Sequence, residues 1–187
     1  MKMSRTLWIV LGLAVLLGVW MFSTYNGLVA SKGAVEGSWA QVETQYQRRF
    51  DLIPNLQATV KGAANFEQST FVAVTEARSQ WQNAGGNRDA QVAAAQNFDS
   101  ALSRLLVTVE AYPQLQATQA FRDFMTQLEG TENRISTARK DYNDTVQTYN
   151  VQVRTFPRNM IAGLLGFAPE QFFQNTPGSE NAPNVSF

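Results

Sequence analysis

Residues 125–157 read MTQLEGTENRISTARKDYNDTVQTYNVQVRTFP. Met125, Leu128, Glu132, Ile135, Arg139, Tyr142, Val146, Tyr149, Val153 and Phe156 alternate in steps of three and four along it until Pro157. That spacing is the seam of an α-helix packing at a low crossing angle against others, because residues three and four apart share one face. Gly130 costs such a helix about 1 kcal/mol relative to alanine, which burial of so long a stripe offsets. Two members of the stripe carry charge, Glu132 and Arg139. They stand roughly 10.5 Å apart along the helix axis, too far to satisfy one another.

The same period recurs upstream. Leu28, Lys32, Val35, Trp39, Val42, Tyr46, Arg49 and Ile53 mark a first helix, again with a charge, Arg49, on the stripe. A second helix is expected to begin at Asp51–Pro54, since proline is tolerated in a first turn and Asp51 favours the positive helix end. Its stripe has two readings: Leu56, Val60, Ala63, Glu67, Thr70, Val74, Ala77 and Trp81, or Leu52, Leu56, Thr59, Ala63, Phe66, Thr70 and Ala73. NAGGN at 83–87 is a turn. Ala95, Phe98, Leu102, Leu105, Val109 and Tyr112 give a third helix that Pro113 stops. Short helical turns are expected at Asn159–Leu165 and Pro169–Phe173.

Ahead of these lies Leu7–Phe22, LWIVLGLAVLLGVWMF, with no charge in it. With Thr6 and Ser23–Tyr25 it approaches the roughly 20 residues that span a bilayer, and Trp8, Trp20 and Tyr25 suit its two interfaces. A cleaved signal peptide is the rival reading, but no small-x-small cleavage site follows the run. Lys2 and Arg5 precede it, and Lys32 is the basic residue that follows closely. The positive-inside rule then keeps the N-terminus in the cytoplasm and exports the rest. The fold class is therefore all-α: an N-terminal transmembrane helix in 1–25, an antiparallel bundle of about four long helices in 26–173, and a disordered tail in 174–187 rich in Pro, Asn and Ser.

Composition narrows function. There are 15 basic and 15 acidic residues, a calculated pI near 6.3, and no histidine or cysteine. A balanced charge gives no footprint for nucleic acid. Without His or Cys, most zinc, haem and iron-sulfur sites and all Ser-His or Cys-His nucleophilic pairs are excluded. No catalytic residue, cofactor or metal site is expected. Scattered carboxylates such as Glu43, Asp51, Glu67 and Glu132 nominate no acid-base pair.

Charges on a core stripe must pair, snorkel into water, or remain at high cost. Either Arg49 pairs with Glu132, and Arg139 with Asp51 or Glu43, fixing helix register, or these side chains reach solvent from the stripe's edge. Phe167, Phe172 and Phe173 either form an exposed docking patch or, the favoured reading since aromatics are usually buried, fold back as a cap on the bundle.

YNGLVASKGAVEGSWAQVETQYQRRFDLIPNL (25–56), ENRISTARKDYNDTVQTYNVQVRTFPRNMIAGLLGF (132–167) and EQFF (170–173) closely resemble the LemA family of bacterial proteins. The resemblance implies a membrane helix followed by a long-helix bundle, and a molecular function that is poorly defined. It also implies the opposite orientation, with the bundle in the cytoplasm. The family's motif residues fall here on Arg48, Arg49, Asp51, Pro54, Asn55, Glu132, Asn133, Arg134, Arg139, Tyr142, Asn143, Tyr149, Asn150, Phe156 and Pro157. Phe50 stands where the family often has a basic residue or histidine. The expected function is a non-enzymatic scaffold or interaction module, held in the bacterial cytoplasmic membrane by residues 7–25, with a protein partner or a second copy. The alternative is a signalling accessory that transmits helix-packing changes across the membrane.

Overall fold

A computed structural model describes the backbone of residues 5–60 and 68–173. Ala63, Phe66, Glu67 and the tail from residue 174 lie outside the described residues. In chain order the helices are α1 (Arg5–Val60), α2 (Gln68–Asn83), α3 (Arg88–Glu110), α4 (Pro113–Gln116), α5 (Gln119–Arg154) and α6 (Arg158–Leu164), and no strand occurs among the described residues. The chain divides into two compact units. One joins α1 up to Ala40 with Lys140–Phe172; the other holds Gln41–Arg139 and Phe173.

In the first unit α1 and α5 run antiparallel. Ser31 donates to Gln152 at 2.9 Å, the hydroxyls of Ser38 and Thr145 meet at 2.7 Å, and the rings of Trp39 and Tyr142 pack edge to face at 5.1 Å. Beyond α5 the chain turns into α6, whose Ile161 and Ala162 are buried. Gly166, with φ at 78°, closes α6 in a left-handed conformation that a side chain would strain, and Phe167 N–H returns to the Ala162 carbonyl at 2.9 Å.

Residues 167–173 are not helical. Side chains of α5 satisfy that backbone instead of a helical ladder. Tyr149 donates to the Ala168 carbonyl at 3.0 Å, Tyr142 to the Gln171 carbonyl at 2.9 Å, and Asn150 both donates to the Glu170 carbonyl and accepts from the Glu170 N–H at 2.8 Å. The short helix expected at Pro169–Phe173 is thus replaced by a strap pinned to α5, because these bonds are equivalent in kind and Asn150 is buried where it makes them.

In the second unit α1 is followed by an α2–α3 hairpin. Gly85 and Gly86 carry φ of 40° and 81°, and Asn87 caps α3 by accepting from the Ala90 N–H at 3.1 Å. Gln91 donates to Glu43 at 2.8 Å and Arg49 to Asp99 at 2.6 Å, so α3 runs parallel to α1, whereas α5 opposes α1. Four long segments therefore alternate in direction around a shared core. Tyr46 stacks on Trp81 at 4.6 Å, and Phe50 meets Phe98 edge to face at 4.7 Å. Phe50 is a fully buried packing residue here.

Two sequence expectations fail in the helices. Pro54 does not begin a new helix; it sits inside α1, on its exposed side, and α1 runs on to Val60. An interior proline costs about 3 kcal/mol, but Phe50, Ile53 and Leu56 are fully buried around it. Each such side chain contributes roughly 1.5–3 kcal/mol, so packing overrides the local break. The α5 stripe also departs from its pattern at both ends. Met125 is exposed because Phe121 and Phe124 carry the buried face there, and Phe156 is exposed beyond the end of α5 at Arg154.

Leu7–Phe22 is bare. Within α1 this stretch is long and apolar enough to cross a membrane, and none of it is buried in the protein.

Candidate functional site

Arg49 lies on the core face of α1 and its side chain is 3% exposed. Taking a guanidinium out of water is affordable only with good partners. It has two. Arg49 Nη1 donates to Asp99 Oδ1 on α3 at 2.6 Å, and Arg49 Nη2 pairs with Glu132 on α5. The other oxygen of Asp99 accepts from Arg139 Nη2 at 2.6 Å, and Arg139 also donates to the Tyr46 hydroxyl.

Arg139 therefore pairs with neither Asp51 nor Glu43. Asp51 is on the exposed face of α1, where it accepts from Gln47 at 2.8 Å, and Glu43 is engaged by Gln91. Asp99 is the residue that the sequence reading missed. It falls four positions after Ala95 and three before Leu102, on the flank of the α3 stripe, and that register was its only available signal.

Phe173 completes the cluster from the chain's other end. Its ring lies 4.6 Å from the Arg139 guanidinium and stacks 6.4 Å from Tyr46, which gives the cation an aromatic face. Of the three phenylalanines expected to cap the bundle, Phe173 is buried, Phe167 is half-buried and Phe172 is exposed.

Burial and ion pairing act in opposite directions on these groups. Burial raises the Asp99 carboxyl to about 6, outweighing the pull of Arg49, and lowers Arg139 to about 10. Burial lowers Arg49 as well. Arg139, at about 10, therefore keeps its charge at neutral pH.

The cluster forms one wall of an open cavity of about 640 Å³, which Leu102, Met125, Glu129 and Asn133 also line. That volume is in the range of small-ligand sites. Arg49 Nε and Arg139 Nε are buried without a hydrogen-bond partner. Among the described residues no group of three or more Asp or Glu side chains is placed to hold a metal ion.

The remaining motif residues divide by position. Arg48, Pro54, Asn55, Arg134 and Pro157 are exposed, Asn133 is exposed at the cavity, and Asn143 is half-buried. Asn55 lines a smaller cavity of about 150 Å³ with Asp123 and Gln127. Tyr142, Tyr149 and Asn150 hold the strap. The motif is thus not one site but three features: a charge cluster around buried Arg49 in which Glu132 is itself 55% exposed, a strap, and an exposed or half-buried set on α1, α5 and the turn into α6.

A bare apolar N-terminal helix, long packed helices and a charge cluster inside them define a class of all-helical proteins with one segment suited to a membrane. Residues 38–187 match the LemA family, and the chain belongs to it. It is similar to the Magnetosome protein MamQ 2 of Paramagnetospirillum magneticum, 29% identical over 181 residues, covering 83% of this chain and 66% of the relative. The Magnetosome protein MamQ of Magnetospirillum gryphiswaldense is 26% identical with the same coverage. Protein LemA of Metamycoplasma hominis is 24% identical over 149 residues, covering 80% of this chain and 68% of that protein. The chain thus spans slightly less than two thirds of the length of the magnetosome relatives.

Proposed function

We propose that this protein is a non-enzymatic, membrane-anchored helical interaction module, held in the bacterial cytoplasmic membrane by residues 7–25 with its helices outside the cytoplasm. The observation that carries the reading is the uncovered apolar surface of Leu7–Phe22 on the same helix whose later residues are packed. In water that surface is a liability; in lipid it is satisfied. The similarity to magnetosome proteins is in keeping with a membrane setting.

Recruitment of a protein partner or a second copy is assigned to the open cavity, where Met125 and Leu102 sit beside Glu129 and Asn133. The test has two arms in cells. A cysteine replacing exposed Gln82 reports orientation through an impermeant maleimide, since the chain carries no other cysteine. A photo-crosslinking residue replacing Met125 reports the partner. Labelling of intact cells and a cross-linked adduct specific to position 125 support the reading; labelling only after lysis reverses the orientation, and no adduct removes the cavity from recruitment.

A signalling role is the second reading. Asp99, with a carboxyl raised to about 6, changes charge near neutrality at the joint of α1, α3 and α5, and α1 continues unbroken into the apolar segment. A second helix packing, seen in solution when pH or a ligand changes, is the evidence that this reading requires.

A further inference from the structure

The geometry points to a second membrane contact: the outer face of α6, with the end of α5, inserts into the headgroup region of the leaflet from which α1 emerges. This rests on the anchoring reading above and adds a lipid-binding surface to it.

Three observations carry it. First, Phe156, Met160 and Leu164 are 74%, 67% and 76% exposed, with Leu165 beside them, while Ile161 and Ala162 on the other side of α6 are buried. Large apolar side chains clustered this way mark an interaction surface.

Second, the ridge stands at the right height. Gln152 is bonded to Ser31 in the antiparallel α1–α5 pair and α5 ends two residues later at Arg154, so the turn that carries Phe156 lies on the side of the apolar run. The apolar run ends at Phe22, about 4.5 Å from Tyr25 along α1. A headgroup layer is about 5–7 Å deep on each side of the hydrocarbon, so Tyr25 stands within it. The Phe167 ring, which follows α6, lies 6.1 Å from that of Tyr25, an aromatic at the level where interfacial belts form.

Third, Arg154 and Arg158 flank the ridge and are exposed. Cations beside an apolar face are the pattern of segments that lie in an anionic membrane surface. Seven residues are too few to bind lipid alone, but α1 holds them against it, so the contact is intramolecular and needs little affinity of its own.

The experiment uses the full chain in vesicles of phosphatidylcholine and phosphatidylglycerol. Single cysteines at Met160, Leu164, Thr148 and Val15 carry an environment-sensitive fluorophore, and lipids brominated at shallow or deep carbons quench it. Quenching by shallow bromines roughly twofold or more above Thr148 at both Met160 and Leu164, and by deep bromines at Val15, is the expected result. If Val15 is quenched while Met160 and Leu164 match Thr148, the contact is refuted and the anchor stands. If Val15 is not quenched, both fail. Emission at Met160 that responds to unlabelled protein rather than to bromine identifies a second copy as the occupant and also overturns the proposal.

Discussion

Arg49 Nη1 and Asp99 Oδ1 lie 2.6 Å apart, a bond that ties α1 to α3 inside the core of the second unit. Asp99 passes the tie on to Arg139, and Arg49 passes it to Glu132, so the three helices are joined through one buried arginine and its partly exposed partners.

The first prediction follows from that dependence. Arg49→Met removes the buried cation between Asp99 and Glu132, while Asp99 keeps Arg139 and Glu132 reaches solvent, and is expected to destabilise the fold by roughly 1–3 kcal/mol. Replacing Arg49, Asp99 and Arg139 together by Met, Leu and Met is expected to restore stability to wild type or above, since no buried charge then lacks a partner. Denaturant unfolding of the full chain in detergent distinguishes the two. A triple variant less stable than Arg49→Met would mean that the cluster does not act as a unit.

The raised carboxyl of Asp99 gives a pH dependence of defined sign. An acid with a folded pKa of about 6 against an ordinary 3.8 binds its proton more tightly in the folded state. Its contribution is fully present below pH 4 and is lost as pH rises through about 6. The gap in unfolding free energy between wild type and Asp99→Asn should widen in favour of wild type by about 2–3 kcal/mol from pH 7 down to pH 4. A constant gap across that range would mean that Asp99 titrates as an ordinary aspartate.

Pro54 offers a gain rather than a loss. Because it is exposed within α1 and supplies no N–H to the helical ladder, Pro54→Ala is expected to raise stability, by up to about 3 kcal/mol. Thermal unfolding of the two proteins measures it. A decrease would show that Pro54 marks a helix end in solution.

The strap can be loosened from one side. Asn150→Ala removes the partner of both the N–H and the carbonyl of Glu170, whereas Tyr149→Phe removes only that of the Ala168 carbonyl. Hydrogen exchange at the Glu170 amide should accelerate clearly in the first variant and little in the second. Equal acceleration in both would mean that the strap opens as a whole and that Asn150 has no special part in holding it.

What could be read from the chain divides along physical lines. The stripe Leu28 to Ile53 and the stripe Leu128 to Val153 are long enough for their period to outweigh every local signal, and they give the helices and their packing faces directly. The α2 boundary fails because Pro54 is a strong local signal and the burial of Phe50, Ile53 and Leu56 is not a local property. Arg49, Glu132 and Arg139 stand out as charges on apolar stripes. Asp99 does not, since an aspartate flanking a stripe is ordinary until the facing helices are known to carry arginines. The strap is hidden for the same reason: Tyr149 and Asn150 fit a helix pattern whether or not their polar ends hold another segment.

The four charges that join α1, α3 and α5 comprise two cations, Arg49 and Arg139, and two anions, Asp99 and Glu132. Their fields cancel within a short distance, leaving a local multipole and no net source of long-range attraction. On the proposed recruitment, a partner arriving at the adjacent cavity is accordingly not steered by these four charges, and Glu129 is the charge that the cavity presents beyond them. On the proposed membrane anchoring, encounter is left to confinement in two dimensions rather than to charge.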